Sequence, residues 1–145
     1  MKIKTRKFGE IIIDDEKIIF MPHGLPGFPG YERFVLLEDP KTAPFCWFQS
    51  AEEPNLALVL MDPILFKPDY QLGLEEFIRD RNWEGVKKED LAVYVVINIT
   101  GDEADRKITA NLVGPLVINA KAREAVQVII SDSSYSYQYD IMKGS

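Results

Sequence analysis

The side chains best suited to covalent or acid–base chemistry in this 145-residue chain are His23 and Cys46, its only histidine and its only cysteine. Nucleophilic catalysis needs a nucleophile, a base beside it and a group that orients the base. Cys46 falls within an apolar strand pattern, which favours a core position over a reactive thiolate. His23 has no partner at a defined spacing, and a zinc site would need carboxylates to complete it. The sequence therefore predicts no enzymatic activity, no metal and no cofactor.

Pairs of adjacent carboxylates, such as Asp14-Asp15 and Glu52-Glu53, recur along the chain. Neighbouring residues in an extended strand point to opposite faces, so these pairs do not form an acid–base dyad. With 17 Lys and Arg against 23 Asp and Glu, the net charge is −6. This charge argues against a general nucleic-acid binder, which needs clustered basic side chains. Two interpretations stay open: solvated ends of strands and helices, or an acidic surface for a basic protein.

The nine residues that begin at Pro22 combine three prolines and three glycines between two apolar runs. Proline fixes φ and lacks an N–H, while glycine allows positive φ, so the segment cannot be a helix or an interior strand. It predicts an ordered connection that presents Leu25 and Phe28 on a restrained backbone. The segment is either part of an active site through His23 or a shaped binding loop. Its glycine spacing does not match a phosphate-binding loop.

Short β-branched runs broken by turn residues predict strands through most of the chain. The predicted strands span residues 3–8, 11–13, 17–21, 34–37, 45–50, 56–61, 91–99, 107–113, 116–119 and 126–130. One region changes period: Leu74, Phe77 and Ile78 predict a short amphipathic helix that ends between Asn82 and Gly85. The aromatic residues Phe66, Tyr70, Phe77 and Trp83 surround this helix, and a helix laid on a barrel would leave a groove for an amphipathic partner helix.

Together these elements predict a mainly β fold, a small β-barrel-like or sandwich domain with one short helical insertion. Gly114-Pro115 predicts a kink or strand crossing, and residues 122–125 predict one helical turn. We expect a single β domain over residues 1–135, followed by a polar, loosely held C-terminal tail over residues 136–145. A lone cysteine, no apolar run near the ~20 residues of a membrane span and no signal-peptide pattern predict a cytoplasmic protein.

An ordered set of motifs over residues 7–135 resembles the bacterial flagellar assembly factor FliW family. The set comprises Gly24-Leu25-Pro26-Gly27-Phe28, Phe34-Val35-Leu36, Pro44-Phe45, Phe48-Gln49-Ser50, Pro54, Asp62-Pro63, Asp69-Tyr70, Thr109-Ala110-Asn111-Leu112-Val113-Gly114-Pro115-Leu116-Val117-Ile118-Asn119, Gln127-Val128-Ile129 and Ser134-Tyr135. The chain departs from the family pattern at His23, where another polar residue is common, and at Gly114.

The resemblance implies a non-enzymatic cytoplasmic regulator with a β-barrel-like fold that binds flagellin and the translational repressor CsrA. In this family the free protein holds CsrA away from flagellin messenger RNA, and accumulating flagellin captures the protein and releases CsrA. The resemblance implies no direct contact with nucleic acid or with a membrane. Such partner switching couples flagellin synthesis to secretion.

The resemblance also directs attention to two sets of candidate contact residues. A helical C-terminal region of flagellin would engage apolar side chains, for which the candidates are Leu25, Phe28, Phe66 and Tyr70. CsrA binds RNA and should carry a basic surface, so its candidates are acidic. These are Glu52, Glu53, Glu75, Glu76, Asp80, Glu89 and Asp90.

Two other function classes remain open at this point. One is a small hydrolase or isomerase that depends on His23. The other is a ligand-binding β-barrel, which would contain a sizeable internal cavity.

Overall fold

Strand pairing dominates the structure, a computed structural model that describes residues 1–25, 27–81, 83, 85–130 and 134–142. The side chains of Glu75 and Asp80 also lie outside this description. The described strands are β1 (Lys2–Thr5), β2 (Gly9–Ile12), β3 (Ile19–Phe20), β4 (Arg33–Glu38), β5 (Cys46–Ser50), β6 (Ala57–Met61), β7 (Leu91–Thr100), β8 (Lys107–Ala110), β9 (Leu116–Asn119), β10 (Glu124–Gln127) and β11 (Tyr139–Asp140). The helix α1 spans Leu74–Asp80, and short 3₁₀ turns span Asp15–Lys17, Pro63–Leu65 and Lys88–Asp90.

Seven of these strands close into a barrel in the order β7, β6, β5, β4, β3, β10, β9, with β9 returning to β7. The pairs around the ring are antiparallel except for the parallel contact between β3 and β10. The strands β1 and β2 form a separate hairpin, while β8 and β11 extend the sheet beyond β7. The predicted mainly β fold, a small barrel with one short helix, is therefore confirmed.

The strands β8 and β9 run along the same edge of β7 as one interrupted strand. Thr100 to Ile97 pair with β8, and Tyr94 to Leu91 pair with β9. Residues 111–115 form a bulge between them, opposite only two residues of β7. The Asn111 Oδ1 atom accepts hydrogen bonds from the backbone N–H groups of Val113 and Gly114 at 3.1 and 3.0 Å. This asparagine turn explains the predicted kink at Gly114-Pro115.

The barrel interior is filled by side chains. The rings of Phe34 and Phe48 stack with centroids 4.7 Å apart, and Met21, Leu60 and Leu116 are buried in the same cluster. Alternating residues of the strands supply these side chains, as expected for a closed small barrel. Aromatic filling of this kind argues against the alternative of a ligand-binding barrel with a large internal cavity.

The buried amide of Gln49 shows how the sequence shapes a barrel end. Its Nε2 atom lies 3.1 Å from the carbonyl oxygen of Ser50 and 3.2 Å from that of Leu56. The Ser50 Oγ atom accepts from the N–H groups of Glu52 and Glu53 at 3.0 and 2.9 Å. Buried polar groups need such partners, so Gln49 and Ser50 together fix the turn between β5 and β6.

Two local predictions were wrong. Residues 122–125 do not form a helical turn, because β10 begins at Glu124 and pairs with the available edge of β9. The expectation of a loosely held tail fails at Tyr139–Asp140, which pairs with β8. The predicted helix is present as α1, although residues 82 and 84, where its end was expected, lie outside the described residues. Within the described part of the chain, no helix is long and apolar enough to cross a membrane.

Candidate binding surfaces

The Pro- and Gly-rich loop buries one of its two apolar side chains, Leu25, and exposes the other, Phe28. The Phe28 N–H donates to the carbonyl oxygen of Leu25 at 2.9 Å, which closes a tight turn with Gly27 at φ 87°. Leu25 is only 6% exposed and belongs to the barrel core, whereas Phe28 is 43% exposed. Pro26, part of the family motif, lies outside the described residues. The loop therefore anchors itself through Leu25 and presents Phe28.

Phe28 borders a groove of about 300 Å³ on the barrel surface. Its apolar lining comes from Leu25, Phe28, Leu58, Val96 and Tyr137, and its polar lining is made of carboxamides from Asn98, Asn111, Gln127 and Gln138. Tyr137 is 66% exposed, so two aromatic rings stand at the surface here. We call this the Phe28 groove. Sequence reasoning missed Tyr137 because it lies in the segment that was interpreted as a tail.

Phe66 and Tyr70 line a different part of the molecule. The Phe66 ring stacks on Tyr139 at a centroid distance of 5.7 Å, which holds the last strand against the domain. The Tyr70 hydroxyl donates to the carbonyl oxygen of Leu112 at 2.7 Å, and its ring lies 4.8 Å from Tyr135. Burial, followed by the neighbouring Tyr135, raises the pKa of Tyr70. The four apolar candidates therefore do not form one continuous surface.

A larger groove of about 700 Å³ lies between α1 and the first half of β7. We call it the edge groove; its lining residues are Asp62, Pro63, Ile64, Tyr70, Gln71, Leu72, Gly73, Leu74, Leu91, Ala92, Val93 and Tyr94. Ile64 is 57% exposed beside it. The Asp62 carboxylate accepts from the Ile64 N–H at 3.0 Å and caps the 3₁₀ turn. The Asp-Pro pair before two apolar residues is a helix-start signal that could have revealed this exposed turn.

An acidic recess of about 500 Å³ adjoins the edge groove. Glu38, Asp39 and Asp62 contribute its charges, and Asp62 and Tyr94 line both cavities. Burial, followed by the negative charges of Glu38 and Asp62, raises the pKa of the Cys46 thiol to about 11. Burial also raises the pKa of Tyr94, with smaller contributions from Cys46 and the same two carboxylates. The recess therefore has a negative potential and no reactive thiolate.

Glu52, one of the acidic candidates, stabilises the fold. Its Oε1 atom accepts from the backbone N–H groups of Glu32 and Arg33, each at 3.0 Å, and Oε2 lies 3.7 Å from the Arg33 guanidinium. Partial burial alone would raise the pKa of Glu52. The two backbone hydrogen bonds and Arg33 outweigh this effect, so the pKa is lowered. This carboxylate is bound within the molecule and is less available to a partner.

The other acidic candidates lie on three separate segments. Glu53 is half-buried in the turn between β5 and β6, while Glu76 on α1 and Glu89 before β7 are exposed. Asp90 accepts from the Lys87 N–H at 2.9 Å. The side chains of Glu75 and Asp80 lie outside the described residues.

Catalytic and metal sites find no support in the described part of the chain. His23 is exposed, and no described acid or nucleophile is hydrogen-bonded to it. The described residues contain no group of three or more His, Cys, Asp or Glu side chains that could hold a metal ion.

Known proteins resemble the chain over nearly its whole length. The family model for the FliW protein matches residues 2–141. The flagellar assembly factor FliW of Treponema denticola is 38% identical over 98% of this chain and 94% of the relative. The same factor from Alkaliphilus metalliredigens is 36% identical over 99% of this chain and 87% of the relative. A crystal structure of the flagellar assembly factor FliW superposes with a TM-score of 0.84 at 32% identity, covering 97% of this chain and 96% of that chain.

Proposed function

The chain belongs to the FliW family of flagellar assembly factors, and from this membership we propose that it binds flagellin and CsrA in alternation. In this function the free protein sequesters CsrA and relieves its repression of flagellin messenger RNA translation. Accumulating flagellin displaces CsrA and restores repression. The observation that carries the proposal is the family match over residues 2–141, which includes every strand of the barrel.

Flagellin would bind at the Phe28 groove. An amphipathic helix lays apolar side chains into such a groove, and exposed aromatic residues often supply the anchors. Phe28 and Tyr137 are exposed at this groove, and the buried Leu25 also lines it. The carboxamides of Asn98 and Gln138 could pair with polar groups at the rim. In this proposal Phe66 and Tyr70 contribute indirectly. Phe66 packs on Tyr139 and Tyr70 packs on Tyr135, so they hold the segments on either side of Tyr137.

CsrA would approach the acidic side chains that remain available. Glu76 and Glu89 are exposed, and Glu53 is partly exposed. Complementary charge mainly accelerates association and rejects RNA, so these contacts should depend on ionic strength. Glu52 would act on this surface indirectly, by fixing the turn that carries Glu53. The protein would work in the cytoplasm without catalysis or a cofactor.

Calorimetry with purified flagellin and purified CsrA tests this function. Each partner alone should bind the chain, and flagellin titrated into the preformed CsrA complex should release CsrA. Absence of flagellin binding would refute the central claim. Formation of a stable three-protein complex would refute alternation while leaving both binding activities in place. Flagellin whose C-terminal helical region has been removed serves as the matched control and should not bind.

A further inference from the structure

The strands β6 and β7 pair over only part of β7. Val59 to Met61 pair with Ile97 to Val95, after which the chain leaves the sheet at Asp62 and enters the 3₁₀ turn Pro63–Leu65. β7 extends four residues further, from Tyr94 back to Leu91, and there it pairs only with β9 on its other edge. Among the described residues, no strand pairs with the edge of Leu91 to Tyr94 that follows on from β6.

The backbone groups on this edge can be assigned from the antiparallel ladder. The carbonyl oxygen of Val96 accepts from the Asn111 N–H at 3.0 Å, so Val96 faces the side of β8 and β9. Hydrogen-bonding direction alternates along an antiparallel strand. Ala92 and Tyr94 therefore face β9, whereas Leu91 and Val93 face the edge groove. The Leu91 N–H donates to the carbonyl oxygen of Lys88, at the end of the 3₁₀ turn before β7. The N–H and C=O groups of Val93 and the C=O group of Leu91 are therefore the groups with which an added strand would form hydrogen bonds.

The edge groove has apolar walls that could contact alternate side chains of a strand added beside Leu91 to Tyr94. Its walls include the exposed Ile64 and the half-buried Leu72 and Leu74. A strand placed along Leu91 to Tyr94 would direct every second side chain toward these walls. The volume of about 700 Å³ is within the range of pockets that hold ligands.

The negative charge of the acidic recess favours a bound segment that carries a basic side chain. Among the described residues, the charged side chains that line the edge groove and its adjoining recess are those of Glu38, Asp39 and Asp62, all acidic. Asp62 lies where the two cavities meet, directly beyond the end of β6. A lysine or arginine next to the apolar residues of a bound segment would be complementary to this recess.

We propose that the edge groove binds an extended peptide segment of a partner protein, which adds as a β-strand to Leu91–Tyr94 and places a basic side chain in the Glu38–Asp39–Asp62 recess. This inference goes beyond the proposed function, because it rests on the open strand edge whichever protein supplies the segment. It also concerns a surface other than the Phe28 groove, and an extended rather than a helical ligand.

A fluorescein-labelled synthetic peptide of about eight residues, with alternating valine and threonine and terminal lysines, is a suitable probe. Fluorescence anisotropy measures its binding to the full chain. Two control peptides have the same sequence but carry N-methyl groups on alternate backbone nitrogens. In the first, the methylated nitrogens are those along one edge of the extended peptide, and in the second they are those along the opposite edge. We expect one of the two to bind at least about ten-fold more weakly, because it cannot donate to β7. Equal binding of all three peptides would overturn strand addition and favour a groove that recognises side chains alone. No binding of the probe up to about 1 mM would also overturn the proposal.

Amide hydrogen exchange locates the bound strand. In the free protein the amide of Val93 should exchange faster than those of Ala92 and Tyr94, which face β9. The probe should slow exchange at Val93. Unchanged exchange there, with binding still present, would place the peptide elsewhere and overturn the proposal.

Charge variants test the acidic recess. Asp62→Asn removes the negative charge but keeps the side-chain oxygen that accepts from the Ile64 N–H. Glu38→Gln removes the second negative charge of the recess. Each should weaken the probe by about two- to five-fold at low salt. Glu103→Gln, in the exposed turn after β7, is the matched control and should leave binding unchanged. Equal effects of all three variants would overturn the role of the recess. Flagellin binding is measured in a separate experiment. Its result tests the proposed function and does not depend on whether the edge groove binds the probe.

Discussion

The Tyr70 hydroxyl and the Leu112 carbonyl oxygen are joined by a 2.7 Å hydrogen bond across 42 residues of sequence. Tyr70 precedes α1, and Leu112 lies in the bulge between β8 and β9. The Leu112 N–H in turn donates to the carbonyl oxygen of Ser136 at 3.0 Å. One residue of the bulge is thus bonded to two distant segments, which fixes the loop before α1 and the C-terminal segment on the barrel.

Replacing Tyr70 with phenylalanine should destabilise the protein by about 1–2 kcal/mol, because the buried Leu112 carbonyl loses its side-chain donor. Urea unfolding measures this change in the free energy of unfolding. Tyr137→Phe is the matched control, since Tyr137 is exposed, and should change stability by less than about 0.5 kcal/mol. Equal midpoints for the two variants would show that the hydrogen bond contributes little.

Gly114→Ala should destabilise the bulge by about 1 kcal/mol. A Cβ atom at this position would lie 2.9 Å from the Gln127 Nε2 atom, which donates to the Gly114 carbonyl oxygen at 3.0 Å. The amide must move and weaken that hydrogen bond. At Gly73 the nearest atom to an added Cβ is 3.9 Å away, so Gly73→Ala is the control and should alter thermal unfolding little. An unchanged melting temperature for Gly114→Ala would contradict the role assigned to Gln127.

The contribution of Glu52 to stability should depend on pH. Because its pKa is lowered in the folded protein, this contribution is fully present above the unfolded value of about 4.5. It disappears as the pH falls through the lower folded pKa. Glu52→Gln should therefore be less stable than the parent near neutral pH, and the difference should shrink in acid. Urea unfolding over this pH range measures the effect, with Glu103→Gln as the control. A difference that stays constant with pH would rule out this linkage.

Phe28→Ala should weaken flagellin binding by about 2 kcal/mol, close to thirty-fold, if the ring is an anchor of the Phe28 groove. Ile12 is 80% exposed on the separate β1–β2 hairpin. Ile12→Ala is therefore the control and should bind flagellin normally. Calorimetry measures both affinities, and equal losses would remove Phe28 from the proposed site.

A charge variant such as Glu76→Gln should instead slow CsrA association at low salt.

Sequence patterns predicted most strands and α1, because apolar periodicity and turn residues are local signals. Closure of the barrel depends on the parallel contact of Phe20 with Glu124, which joins segments about a hundred residues apart and leaves no local signal. The strand at Tyr139–Asp140 was missed for the same reason, since a polar strand forms only because β8 offers it an edge.

The candidate sites were predicted less completely than the fold. Leu25 and Phe28 have similar chemistry, and only the turn between them decides that one is buried and the other exposed. Glu52 and Glu53 are adjacent, yet Glu52 alone reaches the backbone of β4. The edge groove arises from the different ends of β6 and β7, a relation that strand propensity does not reveal.

Cys46 gives the native chain a practical property. Its sulfur is buried, lies 3.6 Å from the carbonyl oxygen of Leu60 and has a pKa of about 11. The thiol therefore stays protonated near neutral pH and should resist maleimide reagents while the protein is folded. A second cysteine introduced by Ile12→Cys, at a side chain that is 80% exposed on the separate β1–β2 hairpin, would carry a fluorophore selectively. The exchange of partners could then be followed in real time by energy transfer, without first removing the natural thiol.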